Sequence, residues 1–155
     1  MEERRFEDFL DIAIEREEEA YMFYMDLFSK VADKSARDTL ELLAGEEKKH
    51  KEFLVNYRSG KFETQALRMN EVIDYKIAEH LEAPDIEKNM QSKDVYLVAA
   101  HRELNSYKFY TGLADIHPEG ALKDMLLRIA GEEMKHKEKV EYLYSNTAFP
   151  QTDGG

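Results

Sequence analysis

The chain has 155 residues, and 22 Lys+Arg against 33 Asp+Glu give a formal net charge of −11. The length suits one ordinary domain with a single core, and the acidic excess argues against a nucleic-acid partner, which would demand a basic footprint. The absence of Cys excludes a disulfide framework, a thiolate nucleophile and any Cys-bound zinc or iron–sulfur site, while only 3 Pro leave little room for a turn-rich all-β fold.

In chain order, Phe6, Leu10, Ala13, Ala20, Tyr24, Leu27 and Val31 fall on one helix face, which predicts a helix over 4–32. A second helix, over 35–58, opens with Lys34-Ser35 as its cap, carries Leu40, Leu43, Leu54 and Tyr57, and ends at Ser59-Gly60. The 59–93 stretch is too long for a turn; its Asn70–Leu81 part reads as a short crossover helix broken by Pro84-Asp85. A third helix is expected over 94–115, with Tyr96, Ala99, Ser106, Tyr110 and Leu113 on its stripe. After the His117–Gly120 turn, a fourth follows over 120–145, with Leu122, Leu126, Ile129, Val140 and Leu143. Short links make antiparallel neighbours, so the expectation is an all-α four-helix bundle over 1–149. It consists of two antiparallel pairs joined by one long crossover, the ferritin-like topology, with a disordered tail over 150–155. No run approaches the ~18 apolar residues of a membrane span. The opening Met-Glu-Glu-Arg-Arg leads into no apolar signal region, so no membrane partner and a cytoplasmic location are expected.

Each stripe is interrupted at mid-helix. The missing positions are Glu17 in the first helix, Glu47 and His50 in the second, Glu103 in the third, and Glu133 and His136 in the fourth. A carboxylate in a dry core costs several kcal/mol unless it is paired or bound to metal. Four at one level also repel one another, and two divalent cations carry the charge that they need. In Glu-x-x-His, residues i and i+3 lie one turn apart on the same face and can serve one metal pair. Two such motifs, plus one Glu from each remaining helix, match the ligand set of the di-iron carboxylate bundles.

The pattern is duplicated. A shift of 86 residues maps Glu17, Glu47 and His50 onto Glu103, Glu133 and His136, with 17 identities over the 45 positions Ala13–Tyr57 and no gap. Two similar helix pairs would then face each other, each giving one Glu and one Glu-x-x-His.

On these residues, with Ala20 and Tyr24 behind Glu17 and Tyr110 behind Glu103, the chain resembles a rubrerythrin-type ferritin-like domain from about Phe6 to Tyr144. The resemblance implies two iron ions bridged by Glu47 and Glu133, with His50 and His136 as one nitrogen ligand each and Glu17 and Glu103 terminal. Manganese or zinc would suit the same donors. It implies reduction of hydrogen peroxide or dioxygen, a role in oxidative stress. The alternatives are a ferroxidase of ferritin type or a non-catalytic metal-binding bundle. The chain departs from full-length rubrerythrins in lacking the four-Cys rubredoxin domain, so electrons would come from an external, rubredoxin-like protein. It also has Ser106 where those proteins carry an extra ligand Glu, which leaves a more symmetric six-ligand site. A homodimer or small homo-oligomer is expected.

The remaining polar positions divide by role. Tyr24 and Tyr110 are either core aromatics or hydroxyls donating to ligand carboxylates, with a proton-supplying role in catalysis. Tyr21 and Tyr107 are read as packing. Glu46 and Glu132 are read as a solvated face, with support of the opposite His as the other possibility. Gly45 and Gly131 suggest close helix approach. Arg16, Arg102, Lys49 and Lys135 are read as surface pairs, and His80, His101 and His117 as surface residues.

Overall fold

A computed structural model describes residues 2–60 and 74–148, with side chains from residue 7 onward. The described residues form four long helices and one short one: α1 (Glu2–Phe28), α2 (Lys34–Arg58), α3 (Ile77–His80), α4 (Ser92–Asp115) and α5 (Ala121–Ala148). It is an all-α ferritin-like bundle. α1 packs along α2, and α4 along α5. The α1–α2 turn meets the start of α4 through a single parallel bridge between Val31 and Met90, in which Met90 N–H donates to the Lys30 carbonyl at 2.8 Å. α2 and α4 therefore begin at the same end and run the same way, while α1 and α5 run against them. α2 thus ends at the opposite end of the bundle from the start of α4.

The boundaries follow local chemistry. α1 ends at Phe28, although Val31 continues its apolar spacing, because the backbone after residue 28 turns and pairs with Met90. α2 is capped just before the expected Lys34-Ser35: Asp33 is extended and its carboxylate accepts from Ala36 N–H at 3.0 Å. At the other end Gly60 takes φ +81°, the left-handed conformation that favours glycine. The expected crossover helix over Asn70–Leu81 lies partly outside the described residues; its described part holds only the single turn of α3. The expected 150–155 tail and the side chain of Phe6 lie outside them too.

The core is divided. One apolar cluster, including Tyr24, Leu27, Leu40, Leu43, Tyr96, Ala99 and Val140, fills the end that carries the bridge. A second, including Leu10, Ala13, Leu54, Tyr110, Leu126 and Ile129, fills the other end. Between them lies a polar layer.

Candidate metal centre

That layer holds the six residues that interrupt the helical stripes. Glu17, Glu47, His50, Glu103 and Glu133 are at most 2% exposed. His136 sits at the edge, its side chain 12% exposed. All four long helices contribute, and i,i+3 spacing on α2 and α5 puts each Glu and its His on the inward face. Their ligand atoms form two groups, Glu17–Glu47–His50–Glu133 and Glu47–Glu103–Glu133–His136, each lying within 4.8 Å of one another. Glu47 and Glu133 belong to both.

Several of the converging ligand atoms have no hydrogen-bond partner. Glu17 Oε2, Glu47 Oε1, Glu103 Oε2, both Glu133 carboxylate oxygens and the Nδ1 atoms of both histidines are buried and accept or donate no hydrogen bond. Native interiors seldom leave such atoms unpaired. His50 Nδ1 lies 2.9 Å from Glu133 Oε1, and His136 Nδ1 lies 3.2 Å from Glu47 Oε1. Hard carboxylates with borderline imidazoles, held in a buried pocket with unused lone pairs, fit a divalent transition metal.

Proton distribution shows how the charge is carried without metal. Burial, then the charges of Glu17 and Glu103, hold the Glu47 carboxyl well above the usual carboxylate range. Burial, with Glu103 and Glu47, does the same for Glu133. Burial also raises Glu17 and Glu103, but the neighbouring Glu47 carboxyl and the His50 charge pull Glu17 down, and the His136 charge and the neighbouring Glu133 carboxyl pull Glu103 down. At each imidazole, burial disfavours charge but the carboxylates win. His50 is held well above its ordinary range and His136 is pushed up to about 10. Raised carboxyls at Glu47 and Glu133 and raised imidazoles at His50 and His136 thus counter the negative charge that Glu17 and Glu103 retain.

Two tyrosines reach across the duplication. Tyr24 on α1 donates to Glu103 Oε1 on α4 at 2.6 Å, and Tyr110 on α4 donates to Glu17 Oε1 on α1 at 2.5 Å. Burial and the neighbouring carboxylates hold both phenols well above their usual range. Tyr21 and Tyr107 pack against the two apolar clusters.

Several sequence readings change. Glu132 is not on a solvated face: its carboxylate accepts from His50 Nε2–H, which fixes the ring with Nδ1 facing the layer. Its repeat mate Glu46 instead faces Lys49 at 3.8 Å. Among the described residues Arg16 and Arg102 have no ion pair and instead stack over Phe109 and Phe23, 4.3 and 5.1 Å from the ring centroids. A Cβ at Gly45 or Gly131 would meet nothing within 4 Å, so neither glycine serves close helix approach. His101 and His117 are half-buried, with ring nitrogens 2.6 and 2.7 Å from the Leu81 and Leu113 carbonyls, while His80 is exposed.

The model of the family described as Rubrerythrin matches residues 8–144. The chain belongs to the rubrerythrin family. Neither a curated protein nor a solved structure matches it. Within the described residues of this rubrerythrin, no helix is long and apolar enough to cross a membrane, and the chain has no Cys.

One buried cluster escaped the sequence reading. Lys137, next to His136, is 0% exposed, and its ammonium meets Asp74 at 2.7 Å, Glu79 at 2.8 Å and Glu141 at 3.0 Å. Glu141 also accepts from Ala78 N–H at 2.7 Å. The cluster pins the end of the crossover onto α5. The available signal was Glu141 itself, a charge where the repeat has Val55.

Proposed function

We propose that the protein is a di-iron carboxylate oxidoreductase of rubrerythrin type, reducing hydrogen peroxide or dioxygen with electrons from an external donor. The observation that supports this reading is the pair of overlapping donor groups sharing Glu47 and Glu133. These two carboxylates would bridge two irons, Glu17 with His50 completing one position and Glu103 with His136 the other. Two irons held there supply, when bound, the two electrons that take hydrogen peroxide and two protons to two waters. The Tyr24 and Tyr110 hydroxyls each hold a proton against a terminal carboxylate, within reach of the reacting space. Glu132 keeps the His50 ring oriented. The apolar clusters above and below the layer exclude water, which strengthens every charge interaction inside it. A rubredoxin-like protein suits the donor role, since the chain has no Cys of its own to hold an iron–sulfur site. A cytoplasmic homodimer or small homo-oligomer completes the proposal.

A second reading, ferroxidase activity coupled to iron handling, is favoured by one observation. Ser106, buried one turn beyond Glu103, adds no further carboxylate to the set. Stopped-flow mixing of the Fe(II)-loaded protein with peroxide separates the outcomes. The oxidoreductase reading expects oxidation faster than that of free Fe(II) and repeated turnover with an added electron donor. Single-turnover oxidation that leaves mineralised iron in a cage-sized particle supports the ferroxidase instead. Oxidation no faster than free Fe(II) overturns both.

A further inference from the structure

The two histidines occupy unlike surroundings on the same face. Their rings lie side by side between α2 and α5, with centroids 6.0 Å apart and planes 21° apart. The outer edge of His50 is closed by Glu132, leaving its side chain 2% exposed. The outer edge of His136 opens into a cavity of about 560 Å³ between α2 and α5. Gly131 lines that cavity, and its Cα faces empty space. Leu42 forms part of the α2 wall, and Tyr75 closes the crossover side, next to the Asp74 that Lys137 holds. Glu46, the counterpart of the residue that shuts the His50 side, lines the cavity rather than closing it.

We propose that this cavity is the single port through which a divalent cation reaches the buried layer, passing the His136 edge and not the His50 edge. The cavity is far larger than the ~30 Å³ that one water occupies in the liquid, so an ion can travel in with part of its hydration shell. Three carboxylates, Glu46, Glu132 and Glu138, line it against the two ammonium groups of Lys135 and Lys139, leaving the lining acidic on balance and attractive to a cation. His136 Nδ1 and Glu47 Oε1, both without hydrogen-bond partners, stand directly behind the ring edge. The crowding that a side chain at residue 131 would cause falls on the port and not on a neighbouring helix. The inference rests on the reading of the six residues as a metal site.

The test uses the metal-free full chain and cobalt(II), followed by stopped-flow absorbance and by equilibrium stoichiometry. Gly131→Leu is expected to slow cobalt uptake at least tenfold while leaving final stoichiometry and helicity unchanged. Leu42→Trp, from the opposite wall, should slow it in the same sense. Gly45→Leu, at the repeat-equivalent position and not part of the cavity lining, should load within about twofold of the unmodified rate. Unchanged uptake in both port variants, with full stoichiometry, overturns the port and leaves the metal site standing. Equal slowing by Gly45→Leu overturns its one-sidedness. If the unmodified chain takes up no cobalt, the metal-site reading fails and the port with it.

Discussion

The two Glu-x-x-His helices share Ala-Gly-Glu-Glu and Lys-His-Lys-Glu, yet their histidines live differently. On α2, His50 is sealed and braced by a carboxylate from α5. On α5, His136 has an open flank, and the neighbouring lysine is buried under the crossover. By contrast, the α1/α4 side of the layer keeps its symmetry, Tyr24 and Tyr110 answering each other at nearly equal distances. The difference traces to the crossover, which has no counterpart in the repeat. Its described end reaches α5 at Lys137, whereas the equivalent Lys51 is partly exposed and pairs with Glu18 at 2.8 Å. Duplicated sequence yields equivalent sites only where the surroundings are duplicated as well.

The severest way to break the comparison is to remove both histidines. His50→Ala with His136→Ala should abolish two-metal binding, measured by metal analysis, while circular dichroism still shows a helical bundle. Retained binding of two irons would overturn the ligand assignment. Removing the brace sharpens the contrast: Glu132→Gln should weaken metal affinity by about 10- to 100-fold in a chelator competition. Glu46→Gln should change it by less than about threefold, because no comparable support is lost. Equal losses would mean that the two sides are equivalent after all.

Acidity probes both sides together. Both imidazoles and the Glu47 and Glu133 carboxyls are held above their ordinary ranges, so loading divalent ions near neutral pH should release protons, read with an indicator dye. The folded pKa of His136, about 10, lies above its unfolded value of 6.5. Its stabilising contribution is therefore complete below 6.5 and is lost as pH rises toward 10. The raised carboxyls act in the same direction, since the folded state binds more protons. The melting temperature of metal-free protein should accordingly fall across that window, while metal-loaded protein stays nearly level. The smallest effects belong to the symmetric side. Tyr24→Phe and Tyr110→Phe should each cost about 1 kcal/mol of stability, equally in thermal melts, and leave metal stoichiometry intact.

Much of this was legible in the residues. The helices announce themselves by spacing, and the six-residue layer stands out because Glu and His occupy positions where burial is dictated by the neighbours three and four residues away. What escaped depends on contacts between distant segments. Lys137 looks like any surface lysine until Asp74 and Glu79 are brought to it from the crossover. Glu46 and Glu132 are indistinguishable by motif, and only the packing of α5 against α2 sends one carboxylate to a ring. Val31 kept helical spacing but lost its helical backbone to Met90, a partner 59 residues away.

That small bridge has a larger consequence. It is a fixed mark joining the turn of one hairpin to a residue just before the first helix of the other, and so it sets how far the two hairpins slide along each other. A helix advances about 5.4 Å per turn. Slippage by one turn would carry the α4/α5 donors out of reach of the α1/α2 donors and would bring apolar positions opposite carboxylates. The Met90–Lys30 hydrogen bond therefore acts as an axial ruler, keeping the four helices in the one alignment where their polar residues share a level.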